Sequence, residues 1–145
     1  MAVVLAVVGV AGCGEAPAGG PVEPSPTSGG RLLERDGVRT LVAPPREIVL
    51  LAGIVGELVV NDGGCLAVRG VHSKPGRVRL LVWPHGTDLL ADGEVGVLTP
   101  EKKEIRAGDT FTATGGWQEV PLWGGPEVPA ECLGGQAGVS LIDVV

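Results

Sequence analysis

The residues best equipped for chemistry gather at one point of the chain. Trp83-Pro84-His85-Gly86-Thr87-Asp88 sets an aromatic ring, an imidazole and a carboxylate within six residues. At the end of a strand such a group can line a ligand pocket, with Trp83 stacking on a sugar or peptide while His85 and Asp88 hydrogen-bond it. His85 and Asp88 are also the pair a hydrolase would use. The plainer reading, and the preferred one, is a strand stopped by Pro84, with Trp83 in the core and His85 and Asp88 solvated, because loops collect polar residues whatever their role. A Ser73, His85 and Asp88 triad can be drawn, but no G-x-S-x-G elbow accompanies it. His72 is a lone loop histidine, expected to be solvated. Asp88 and Asp92 carry no readable separation, so paired-carboxylate glycosidase chemistry is unsupported. Neither a C-x-x-C nor an H-x-x-x-H spacing occurs, so no metal site is expected, and no catalytic residue or cofactor is assigned. Glu101-Lys102-Lys103-Glu104 reads as a solvated turn. Trp117 and Trp123 flank a Gly/Pro-rich stretch and are expected to cap the core, the alternative being that one is exposed for binding.

The elements that must carry these residues are strands. Arg31 to Val42 reads as two short strands about Asp36-Gly37, a hairpin turn pair. After Pro44-Pro45, the apolar stretch from Glu47 to Val60 is interrupted by Gly53 and Gly56. A helix tolerates two glycines poorly, whereas a strand bending at a barrel corner uses them. Asn61-Asp62-Gly63-Gly64 is a turn, followed by a strand from Cys65 to Arg69. Arg77 to Trp83 alternates as a half-buried strand. Further strands are expected over Glu94 to Thr99, over Thr110 to Thr114 with an end at Gly115-Gly116, and over Gly138 to Val145. No amphipathic helix of ten or more residues is evident. Short strands at regular spacing with glycine turns give an all-β fold, a small antiparallel barrel (OB-like) or a sandwich.

Composition narrows the partners. The net charge is −6, which repels phosphate backbones and anionic lipid surfaces, so no nucleic acid is expected to bind. The aromatics are sparse, Phe111 and three tryptophans with no tyrosine, which also argues against a base-stacking platform. Asn61 is the only asparagine, and eight arginines stand against three lysines. That is the composition of a GC-rich genome.

The start of the chain holds a second chemical motif. Val10-Ala11-Gly12-Cys13 follows an apolar run over residues 2–11 that is far short of the roughly 20 residues a membrane-spanning helix needs. The motif resembles the lipidation and cleavage signal of bacterial lipoproteins. The resemblance implies a signal segment over 1–12, a diacylglycerol on the Cys13 thiol, and a mature protein anchored on the outer face of the cell membrane. A secretory signal carries a basic segment before its apolar core. Here the first cation is Arg31, so the true start is expected upstream. A buried strand leading into a phosphate-binding loop is the rejected alternative, since G-x-G-x-x-G spacing is absent and four prolines follow. Residues 13–30 are a Gly/Pro/Ser tether unable to bury a core, leaving one domain over 31–145 with its core about 47–145. With Cys13 assigned to lipid, Cys65 and Cys132 remain as a disulfide pair outside the cytoplasm, worth roughly 4 kcal/mol for a loop of this span.

Gly56-Glu57-Leu58, Gly64-Cys65-Leu66, Leu81-Val82-Trp83-Pro84-His85-Gly86, Ala107-Gly108-Asp109 and Gly115-Gly116, closing with Cys132, resemble small extracytoplasmic β-barrel domains of actinobacterial lipoproteins. The resemblance implies the barrel and the disulfide without naming an activity. The expectation is therefore a lipid-anchored β-domain with a non-catalytic binding or structural role in the cell envelope, its partner a wall polymer, an envelope protein or a small ligand. The alternative is an envelope hydrolase using His85 and Asp88.

Overall fold

Short runs of alternating apolar and polar residues, punctuated by glycine, become strands because each run buries one face and solvates the other. The computed structural model describes residues 29–45, 52–71, 77–91, 93–122 and 125–144. The signal segment, Cys13, nearly all of the tether, His72, Ser73, Asp92 and Trp123 lie outside the described residues.

Strands β1 (Arg31–Arg35) and β2 (Val38–Val42) form a hairpin. Its two central residues, Asp36 and Gly37, have φ of 50° and 79°, the pair of positive values that a type I′ turn requires. Strands β3 (Ala52–Val60), β4 (Leu66–Gly70) and β5 (Val78–Trp83) follow as an antiparallel meander. Then come β6 (Asp88–Leu89), β7 (Gly96–Leu98) and β8 (Glu104–Arg106), a separate three-stranded sheet. Strand β9 (Thr110–Glu119), helix α1 (Ala130–Leu133) and β10 (Gly138–Val144) complete the chain.

Five strands close a barrel in the order β3, β4, β5, β10, β9 and back to β3. Every pairing is antiparallel except β5 with β10, which is parallel through Ser140 opposite Leu81. This is the small OB-like barrel expected from the strand pattern. The hairpin adds to it: β2 lies parallel to the end of β5, Leu41 opposite Val82 and Val42 opposite Trp83.

Strand alternation divides the apolar residues into two cores. Leu58, Leu66, Leu81, Trp83, Phe111 and Ile142 point into the barrel. Leu89, Val97 and Ile105 from the small sheet join them and plug the end where β5 finishes and β9 begins. Trp83 and Phe111 meet there with ring centroids 5.8 Å apart. The Arg35 guanidinium fastens the plug to the hairpin, donating to the carbonyls of Leu89 and Leu90 at 2.8 and 2.6 Å. On the outside of the barrel, Leu41, Leu80, Val82 and Val139 form the second core with Cys65 and Cys132. The segment between β9 and β10, including α1, covers it: Val120, Leu122, Val128 and Leu133 pack there.

Cys65 and Cys132 are joined as a disulfide, their Cα atoms 5.5 Å apart across a sequence separation of 67. Polar contacts reinforce the bridge. The Asn61 Nδ2 donates to the Cys132 carbonyl at 2.7 Å, while its Oδ1 accepts from the Gly63 and Cys65 amides. Arg39 reaches both the Gly63 carbonyl and the Glu131 carboxylate at 2.7 Å.

Two expectations about elements need correction. Strand β9 does not end at Gly115-Gly116 but runs through them to Glu119. A Cβ on Gly115 would sit 2.2 Å from Ile54 Cδ1 and 2.8 Å from the Leu141 carbonyl oxygen. The glycine therefore marks a close approach between β3, β9 and β10, not a strand end. The Glu101–Glu104 turn is likewise shorter than expected, because Glu104 already belongs to β8.

Candidate functional site

The motif at the end of β5 is dispersed in three directions. Trp83 is fully buried, facing the barrel interior. Pro84 ends the strand, and a turn closed by the Thr87 amide donating to the Pro84 carbonyl reverses the chain. His85 is exposed and borders a shallow depression of about 350 Å³ walled by Pro44, Pro45, Pro84 and Pro100, with Glu101 and Asp143 at its edge. Among the described residues, that depression presents no serine, threonine or cysteine side chain as a nucleophile. Asp88 is exposed elsewhere, beside Arg35 and Arg106, and its Oδ1 accepts the adjacent Leu89 amide at 2.8 Å. Trp83, His85 and Asp88 thus do not share a pocket. Trp83 stacking on a ligand has no surface to act from, since burial leaves its ring without exposure.

The barrel has a second end, opposite the plug, where β4 and β9 finish and β3, β5 and β10 begin. There the alternation that sends Leu81 and Trp83 inward also sends Arg79 inward, two residues earlier on the same face. Val68, opposite Arg79 on β4, belongs to the inner core. Trp117 stands opposite Ser140 across the β9–β10 pair. The result is a mouth of about 320 Å³ lined by Ile54, Val55, Val68, Arg77, Arg79 and Ser140, with Gly53 and Gly70 at its lip.

Two features of this mouth stand out physically. The Arg79 guanidinium carbon lies 5.5 Å from the centre of the Trp117 ring, a cation–π contact. The ring in turn lies on Gly138, where a Cβ would come within 2.7 Å of it. Trp117 was expected in the core; it is 45% exposed because Gly138 gives it a seat on the rim rather than a cavity to fill. The Nε–H of Arg79 is buried and has no hydrogen-bond partner among the described residues. Ser140 beside it is only 2% exposed.

Electrostatically the mouth is a cationic spot in an acidic protein. Its described lining contains two arginines and no carboxylate, against a net charge of −6 for the chain. Other arginines are neutralised locally: Arg39 by Glu131, Arg69 by Glu57, and Arg106 by Glu94 and Glu104. Among the described residues, no group of three or more His, Cys, Asp or Glu side chains is arranged to hold a metal ion. The arrangement can bind, with a fixed cation, a flat ring and an apolar wall, but it carries no nucleophile–base pair.

The sequence reading passed over Arg79 and Trp117 as a pair. The signal was present in part: an arginine in register with Leu81 and Trp83 is a cation on the core face of a strand. Its partner lies far along the chain and is brought near only by barrel closure. Comparison with known proteins finds no matching family model, no matching curated protein and no matching solved structure.

Proposed function

We propose that this chain is a non-catalytic binding domain of the cell envelope, tethered to the outer face of the membrane through a lipid on Cys13, and that the open mouth of its barrel is the ligand site. The observation that carries the binding reading is the Arg79 side chain, in cation–π contact with Trp117 and lining a 320 Å³ cavity, with its Nε–H buried and unpartnered. Side-chain atoms of Thr40, Trp83, Thr87 and Gln136 are likewise buried without a partner among the described residues, and of the five residues only Arg79 is charged and lines this mouth. A concave, mainly apolar site with a few convergent polar groups is the usual form of a small-ligand pocket. The disulfide between Cys65 and Cys132 supports the compartment, because such bridges persist in oxidising surroundings.

The alternative of an envelope hydrolase using His85 and Asp88 has their separation against it, since they border different depressions. Two measurements test the proposal. Titrating small-molecule mixtures into ¹⁵N-labelled domain should move the Trp117 indole and Arg79 Nε–H signals first. Signals moving first around His85, or chemical conversion of an added compound, would count against it. The anchor is read by intact mass of the membrane-extracted protein, expressed with its native start. A mass beginning at Cys13 plus diacylglycerol is expected, and an unlipidated chain would remove the membrane from the proposal.

A further inference from the structure

We infer that the mouth takes a carboxylate carried on an apolar body, held by the Arg79 guanidinium. This rests on the mouth being the ligand site. A guanidinium offers two kinds of surface: its faces, which stack on aromatic rings, and its edges, which donate in-plane hydrogen bonds. In Arg79 the guanidinium carbon lies 5.5 Å from the Trp117 ring centre, a cation–π contact. The edge bearing Nε–H is buried without a partner. A guanidinium's in-plane N–H pairs match the spacing of two carboxylate oxygens, and the Nη groups of Arg79 are not among the buried unpartnered atoms.

The charge balance of the site points the same way. An arginine directed toward a barrel interior is tolerated when a counter-charge meets it. No carboxylate occurs among the described residues lining the mouth, and a ligand carboxylate would supply a counter-charge to Arg79 and Arg77.

The walls choose the body. Ile54, Val55 and Val68 supply aliphatic surface, and Trp117, 45% exposed and in contact with Arg79, lies beside it. The mouth, at about 320 Å³, lies at the small end of the range of ligand pockets, about 300–1,000 Å³. The Ser140 hydroxyl stands within the same lining to receive or donate one further hydrogen bond. A short aliphatic or aryl-alkyl acid meets these terms, and so does the C-terminal carboxylate of a peptide ending in an apolar residue.

The experiment titrates the disulfide-intact domain at pH 7 with hexanoate and 3-phenylpropionate, following the Arg79 Nε–H and Trp117 indole signals. Hexanamide, with the same body and no charge, and inorganic phosphate, with charge and no body, are the comparators. Hexanoate is expected to bind at least tenfold more tightly than either. A free tripeptide ending in leucine against its C-terminally amidated form tells whether a peptide end enters as a free acid does. Arg79→Met should lower hexanoate affinity tenfold or more while the spectrum stays dispersed, and Arg79→Lys should restore only part, since an ammonium lacks paired in-plane donors. The comparison of hexanoate with hexanamide uses the unaltered protein and stands even where a variant fails to fold. Equal binding of hexanoate and hexanamide at the mouth would overturn the carboxylate inference and leave the mouth as the ligand site. Binding that moves signals elsewhere and leaves Arg79 and Trp117 unchanged would overturn both.

Discussion

Arg79 occupies a position that strand alternation reserves for the interior, in register with Leu81 and Trp83 on β5. Two energies compete there. The cation–π contact with Trp117 stabilises by about 0.5–1 kcal/mol at a site open to water. The buried, unpartnered Nε–H costs about 1–3 kcal/mol. The second outweighs the first, so Arg79→Met should leave the unliganded domain as stable as before or raise its stability by about 1 kcal/mol. Urea unfolding without ligand measures this, and a loss above about 1.5 kcal/mol would show Arg79 to be structural. The contrast with the motif at residues 83–88 shows what a sequence discloses at this scale. Neighbourhood along the chain brought Trp83, His85 and Asp88 to attention, yet period-two alternation buries the first and a turn parts the other two. Arg79 and Trp117 are joined only by closure of the barrel, which no local pattern encodes.

At the scale of elements, strands marked by strong turns or by alternation were legible, β5 and β10 among them, and the shortest were not. The Asp36-Gly37 hairpin and the Asn61–Gly64 turn have chemistry that allows few other conformations, and both appear as expected. The two-residue β6 and three-residue β8 are too short to show alternation; they exist because β7 pairs with both. Gly115-Gly116 misled because glycine ends strands and also permits them to approach closely. The second role predicts that Gly115→Ala will destabilise the barrel by about 1–3 kcal/mol, as overpacking does. The Ile54 methyl can move aside, but the Leu141 carbonyl at 2.8 Å is backbone and cannot. Helix α1 adds a pH-dependent element. The hydrogen bond from Arg39 holds the Glu131 carboxyl below its ordinary value. A depressed carboxylate contributes stability above its unfolded-state pKa and loses it as pH falls through the lower folded value. The gap in Tm between the natural protein and Glu131→Gln should therefore be open at pH 7 and close in the acid range below pH 4. A gap that widened on acidification would reverse the assigned sign. Its size at pH 7 will be small, because Glu131 is exposed and an exposed pair is screened by water and salt.

Across the whole molecule, two cores share one set of strands. Leu81 and Trp83 face the inner core and Leu80 and Val82 the outer, so β5 is the wall between them. The disulfide belongs to the outer core and ties the turn before β4 to α1, the cover over that core. The inner barrel closes without it, through the hydrogen-bonded pairings of its five strands. The bridge should therefore act mainly on the unfolded chain. Closing a span of 67 residues removes entropy worth roughly 4 kcal/mol from that ensemble, a large share of the roughly 5–15 kcal/mol that holds a domain folded. Reduction, or the paired change Cys65→Ser with Cys132→Ser, should lower the unfolding free energy by about that amount, lower the urea midpoint and raise the denaturant slope, since an unbridged unfolded chain exposes more surface. The native spectrum, including the Trp117 indole signal at the mouth, should persist at low urea. Loss of that signal on reduction alone would mean that the outer cover positions the mouth, and that the bridge sustains the site as well as the stability of the fold.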